Sequence, residues 1–226
     1  MAKRKYPIEV GKYYHIYNRG VDKRKIFLDK GDLYYFFDAI QISNREENIS
    51  RNYKSKKKRI KEKEKAKESE PIVEIVAYAL LPNHYHFVLK EITEGGISKF
   101  ISKLAGSYSK YFNQKYDRSG TLFQGPFKSS PILKDGSDQR TVAYVSLNYK
   151  HHSYDPRKDL LKTSLFEYLG EEKGDKICSE KEIKRILNYH NGDMKKYKSF
   201  LKEASKVFTQ EHKRSIDDLN FFELEE

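Results

Sequence analysis

Residues 72–90 read IVEIVAYALLPNHYHFVLK, and this stretch constrains the fold more than any other. Residues 72–80 are dominated by strand-forming side chains. Leu81-Pro82-Asn83 then breaks the run, and residues 84–90 resume it with a period of two. The two runs therefore make a β-hairpin or a closely coupled pair of strands. Residues 13–18, YYHIYN, alternate in the same way and run into the turn signal Arg19-Gly20, which gives a first strand. Residues 32–44 carry apolar side chains at helical spacing after a start signal at Gly31-Asp32. Beyond Gly95-Gly96, Phe100, Ile101, Leu104, Tyr108, Tyr111 and Phe112 share one face of a second helix. Residues 120–133 hold a turn and a short strand, and Ser137 or Asp138 caps a third helix that runs to about His152.

The order is β-α-β-β-α-β-α. Its first six elements match a ferredoxin-like split βαβ unit, an α+β fold with a four-stranded antiparallel sheet and helices on one face. The last helix packs on that unit. From Glu180 onward the chain predicts two short amphipathic helices separated by Asn191-Gly192 and a charged, frayed end. The expected division is a main domain over residues 1–170, with a basic insertion at 51–70, and a helical extension over 171–226.

The chain has 226 residues with 45 basic against 33 acidic side chains, a net charge of +12. Half of the imbalance sits in residues 51–70, which hold 10 basic and 4 acidic residues and read as a solvated helix or loop. With 18 tyrosines and 13 phenylalanines the chain has ample material for a core. Basic charge with many rings is the profile of a nucleic-acid binder, since cations neutralise phosphates while rings stack on exposed bases. No run approaches the length of a membrane helix and no apolar leader precedes the first strand, so a cytoplasmic, nucleoid-associated protein is expected. The single cysteine, Cys178, excludes an internal disulfide and a cysteine zinc cluster.

His84 and His86 stand two apart on a strand and so project from one face, a start on a divalent-cation site that needs further donors. Alone, the pair reads first as two polar side chains on a solvated strand face rather than as a metal site. Tyr144 and Asn148 stand four apart and share a helix face. An amide oxygen is a hard donor, and a phenol is a nucleophile when a cation or base favours its ionised form; the competing reading is an ordinary packing stripe. Tyr149 lies roughly 140° around the helix from Tyr144, so both cannot face one cation.

Four blocks occur in register: GKYYHIYNRG, YALLPNHYHFVLK, SYSKYFNQKYDRSGTLFQGPFKS and AYVSLN. Together they resemble the single-tyrosine HUH transposases, specifically the REP-associated tyrosine transposases and their insertion-sequence relatives. The resemblance implies that His84 and His86 bind a divalent metal, Mg2+ or Mn2+, completed by Asn148, and that Tyr144 is the nucleophile. Two positions depart from the family pattern: Tyr149 follows Asn148 where a proline is usual, and Pro126 replaces a basic residue. The activity implied is cleavage and rejoining of single-stranded DNA beside hairpin or palindromic repeats, through a 5′-phosphotyrosine. His15, Arg19, Lys23, Arg24, Lys110, Arg118 and Lys128 are the candidate nucleic-acid contacts. No membrane partner is expected, and monomer and homodimer are equally compatible with the sequence. A replication or conjugation nickase and a non-catalytic binder of structured nucleic acid remain the alternatives.

Overall fold

A computed structural model describes residues 7–47, 56–133 and 136–222. Strands β1 (Tyr13–Arg19), β2 (Val73–Leu81), β3 (His84–Glu91) and β4 (Lys128–Pro131) are joined by helices α1 (Lys30–Ser43), α2 (Lys56–Glu68) and α3 (Gly96–Lys115). Then follow α4 (Ser137–His151), β5 (Lys162–Thr163), α5 (Leu165–Tyr168), α6 (Glu180–Asn188) and α7 (Met194–Phe222). The sheet order is β4-β1-β3-β2-β5, and every pairing is antiparallel. The first four strands reproduce the expected ferredoxin-like core.

Three expectations need correction. The sheet has five strands rather than four, because residues 162–163 add to the free edge of β2. Two residues carry no alternation to read. The second helix of the extension is not short: α7 runs for 29 residues. Asn191 and Gly192, both in the left-handed region, do separate it from α6, and the Asp193 carboxylate accepts from the amide of Lys195 at its start. The basic insertion, as far as it is described, is not simply solvated. Its residues 51–55, like the charged end at 223–226, lie outside the described residues. Helix α2 is docked on α1 by ion pairs: Asp38 accepts from Arg59 at 2.6 Å and from Lys63 at 2.7 Å, and Arg45 meets Glu62 at 2.6 Å. Asp38→Ala would strand Arg59 and leave Lys63 with Asp175 alone, at 2.5 Å. It is expected to cost about 1–3 kcal/mol, seen as a lower urea midpoint at constant slope; an unchanged midpoint would mean that these pairs do not hold α2.

The sheet has two unlike faces because its strands alternate. On one face Tyr78, Leu80, Tyr85, Phe87, Tyr14 and Ile16 pack with α1 and α3 into a single cluster. On the other, β2 presents Val76, Ala77, Ala79 and Leu81 with Val88 of β3. A bulge between Ile75 and Ala77 turns two successive residues to that side. These side chains are small, and α4 settles directly onto them through Val142, Ala143, Val145 and Leu147. Strand β5 fixes that contact: Thr163 Oγ1 donates to the Ser146 carbonyl at 2.7 Å, and Ser164 Oγ accepts from the Tyr78 amide at 3.1 Å. The extension shares the same cluster through Ile186, Tyr197, Leu201, Ala204 and Phe208. Glu182 and Asp138, both buried, receive Arg185 between them, and this ties α6 to the first turn of α4. Among the described residues no helix is long and apolar enough to cross a membrane.

Candidate active site

The face of the sheet toward α4 carries the candidate residues, and strand register sets their neighbours. Lys128 pairs with Tyr17 and Tyr17 with His86, so the three stand in one row across β4, β1 and β3. Arg19 pairs with His84 in the next row, and His15 pairs with Ser130 and Val88 on the other side. The hairpin tip that starts β3 is gripped from below: the Pro82 carbonyl accepts from the Ile26 amide at 2.7 Å, and the Asn83 carbonyl from Gly20 at 2.8 Å. That grip needs a glycine. A Cβ on Gly20 would lie 2.4 Å from the Arg24 carbonyl oxygen. Tyr85, between the histidines, points the opposite way into the core beside Phe36, Phe87 and Phe123.

The ring of His84 is oriented at both ends. Its Nδ1 lies 2.6 Å from the Asn83 side-chain oxygen, and its Nε2 lies 3.2 Å from Asn148 Oδ1. Amide oxygens only accept, so a proton donated to Asn83 leaves the Nε2 lone pair facing a second lone pair. Asn148 is fully buried and its amide nitrogen has no partner. Turning the amide over would give the Nε2 lone pair a donor but leave the buried amide oxygen without one. Two facing lone pairs with an orphaned amide are poor as a hydrogen bond and well suited to sharing a cation. The donor set therefore fits a divalent ion. No group of three or more His, Cys, Asp and Glu side chains among the described residues is placed to hold one. The remaining coordination must come from the amide and from oxygens of water or substrate.

Burial keeps these imidazoles neutral, which ligation requires. It holds His84 at about 4, aided by the charge of His152, and His15 also at about 4. His86 is pushed well below its usual value by burial and then by the charges of His15, His84 and His152. Between pH 6.5 and 4 the unfolded chain thus binds more protons than the folded one. Stability present above pH 6.5 is expected to fall as pH drops toward 4, on the order of 3 kcal/mol each for His15 and His84. Thermal melts across that window check this. A flat profile would mean that these rings are protonated in the folded protein.

Tyr144 is half-buried on α4. Its ring centre lies 6.3 Å from that of His86 and 6.0 Å from that of His15, edge-on to both. His151 stacks on it at 5.7 Å, and Phe208 of α7 abuts it at 5.4 Å. Tyr149 is buried in the packing cluster, where desolvation pushes its phenol up. The structure thus gathers His84, His86, Asn148 and Tyr144 on one face, with His15, Arg19 and Lys128 beside them.

The other cations stand apart. Lys23 and Arg24 lie in the turn after β1, where Arg24 bonds to the Val21 carbonyl at 3.2 Å. Lys110 and Arg118 belong to α3 and its end in the opposite layer, and Arg118 bonds to Asn113 at 2.7 Å. Sequence reasoning missed Tyr17, which stacks on both His15 and His86, at 5.1 and 5.6 Å. It also missed Asn83, and His152, whose ring lies 4.6 Å from His84. The period of two on β1 places Tyr17 with His15 and was the available signal. Nothing local to His152 pointed to β3.

A family model described as "Transposase IS200 like" matches residues 35–148, a span that contains both histidines, Tyr144 and Asn148. No curated protein matches the chain. Among solved structures, a REP-associated tyrosine transposase bound to a REP hairpin is similar at 14% identity and a TM-score of 0.48, over 77% of this chain and 93% of that one. A Deinococcus radiodurans R1 chain provisionally described as a transposase is similar at 12% identity and a TM-score of 0.35, over 68% of this chain and 98% of that one.

Proposed function

The chain belongs to the IS200-like transposase family, and from that premise we propose that it cleaves and rejoins single-stranded DNA beside hairpin sequences by metal-dependent transesterification. The observation that carries this reading is the approach of His84 Nε2 to Asn148 Oδ1 at 3.2 Å, on the sheet face to which α4 also brings Tyr144. His84, His86 and Asn148 would hold Mg2+ or Mn2+. When bound, the ion supplies Lewis-acid stabilisation of charge developing on the scissile phosphate.

Tyr144 supplies the nucleophile. Its phenolic oxygen bonds to phosphorus as the bond to the 3′-oxygen breaks, and the phenolic proton leaves as the 3′-oxygen gains one from solvent. A 5′-phosphotyrosine and a free 3′-hydroxyl result. Because one phosphoester replaces another, a second 3′-hydroxyl can reverse the step and join strands without a nucleotide cofactor. Arg19 and Lys128, flanking the histidine row, would hold the phosphates on either side of the scissile one. Lys23, Arg24, Lys110 and Arg118 would act farther along the DNA. Residues 1–170 form the catalytic unit in this reading, α6 and α7 of the 171–226 extension pack against α4, and the chain acts as a monomer or homodimer.

Incubating the full chain with a single-stranded hairpin oligonucleotide, with and without Mn2+, tests the reading. Metal-dependent cleavage with a protein–DNA adduct is expected. Hairpin binding without any adduct would identify a non-catalytic binder instead.

A further inference from the structure

His15 and His86 stand diagonally across the pairing of β1 with β3, and Nε2 of His15 lies 2.8 Å from Nδ1 of His86. The ring planes differ by 15° with centres 5.1 Å apart, so they meet edge to edge. Tyr17 stacks against both. Only one proton fits between two ring nitrogens, and its owner decides what His86 can do. If His15 donates, neutral His86 keeps its own proton on Nε2 and presents an N–H to the site. If His86 donates, its Nε2 is bare.

His84 faces the same choice and resolves it through Asn83, whose amide oxygen can only accept. Among the described residues no side-chain amide bonds to Nδ1 of His86. The ring that meets its Nδ1 is His15, which lies outside the span matched by the family. We propose that His15 is a positioning residue: it accepts the Nδ1 proton of His86 and so keeps the Nε2 lone pair of His86 available alongside His84 and Asn148. The consequence for metal binding rests on the reading of His84 and His86 as ligands. So does the choice of His86 as the donor, since the 2.8 Å contact itself admits either direction. Backbone pairing of β1 with β3 holds the two rings in contact before any ion arrives.

The test uses the full chain labelled with 15N-histidine, and multiple-bond 1H–15N correlation spectra that report which nitrogen of each ring carries the proton. In the metal-free protein His86 is expected to be protonated at Nδ1 and bare at Nε2. His15→Phe should lose that tautomer and bind Mn2+ roughly 10–100-fold more weakly by calorimetry. His15→Gln, whose amide oxygen can still accept, should restore both and separates the effect from a packing defect. A proton on Nε2 of His86 in the wild-type protein overturns the proposal, and so does His15→Phe with unchanged tautomer and Mn2+ affinity. If the wild-type tautomer is as assigned but His84→Ala and His86→Ala leave Mn2+ affinity unaltered, the ligand reading falls and the proton assignment is upheld.

Discussion

Tyr144→Phe is expected to reduce DNA cleavage by on the order of 10⁴-fold or more, because it deletes the atom that would bond to phosphorus. Tyr149 is the nearest phenol in sequence, but it is buried in the packing cluster on another side of α4. The substitution removes one oxygen from a half-buried ring whose packing against His151 and Phe208 is otherwise retained. Hairpin affinity, measured by mobility shift, should therefore stay near the wild-type value. A parallel loss of binding would make Tyr144 a structural residue.

His84→Ala or His86→Ala is expected to lower metal-dependent cleavage by roughly 10²–10³-fold, the rate equivalent of about 3–4 kcal/mol. The folded state should survive. Each substitution removes a buried group that resists protonation, so the variants should lose less stability than the wild-type chain as pH falls from 6.5 toward 4. Cleavage that persists in both variants under saturating Mn2+ would eliminate the pair as ligands. Asn148→Ala should act in the same direction, since it removes the amide oxygen that faces His84 Nε2.

Much of this arrangement was legible in residue order, for identifiable reasons. The alternation of β3 places His84 and His86 on one face whatever else happens, and the spacing of Tyr144 and Asn148 does the same for α4. What sequence could not show is which face of the sheet α4 covers. That is decided by the small side chains Ala77 and Ala79 and by the bulge beside them, a tertiary fit with no local signature. Strand β5 was missed because its two residues are held by β2 and by Ser146 rather than by their own pattern. The insertion forms the helix that was read, but its docking was not legible, for a different cause. Charge runs read as solvated, yet Asp38 and Glu62 gather Arg59, Lys63 and Arg45 within the molecule. His15 illustrates a third case: strand and face were readable, but its hydrogen bond to His86 depends on register.

The claim on which the rest depends is that the phenol on α4 attacks DNA at the histidine pair. Trypsin cutting after Arg140 and Lys150 releases residues 141–150 as one peptide holding both Tyr144 and Tyr149. Protein trapped on a hairpin oligonucleotide in Mn2+, nuclease-treated and sequenced by tandem mass spectrometry, should carry the phosphonucleotide on Tyr144 alone. A nucleotide on Tyr149 or elsewhere, or cleaved DNA with no tyrosine adduct, would contradict it.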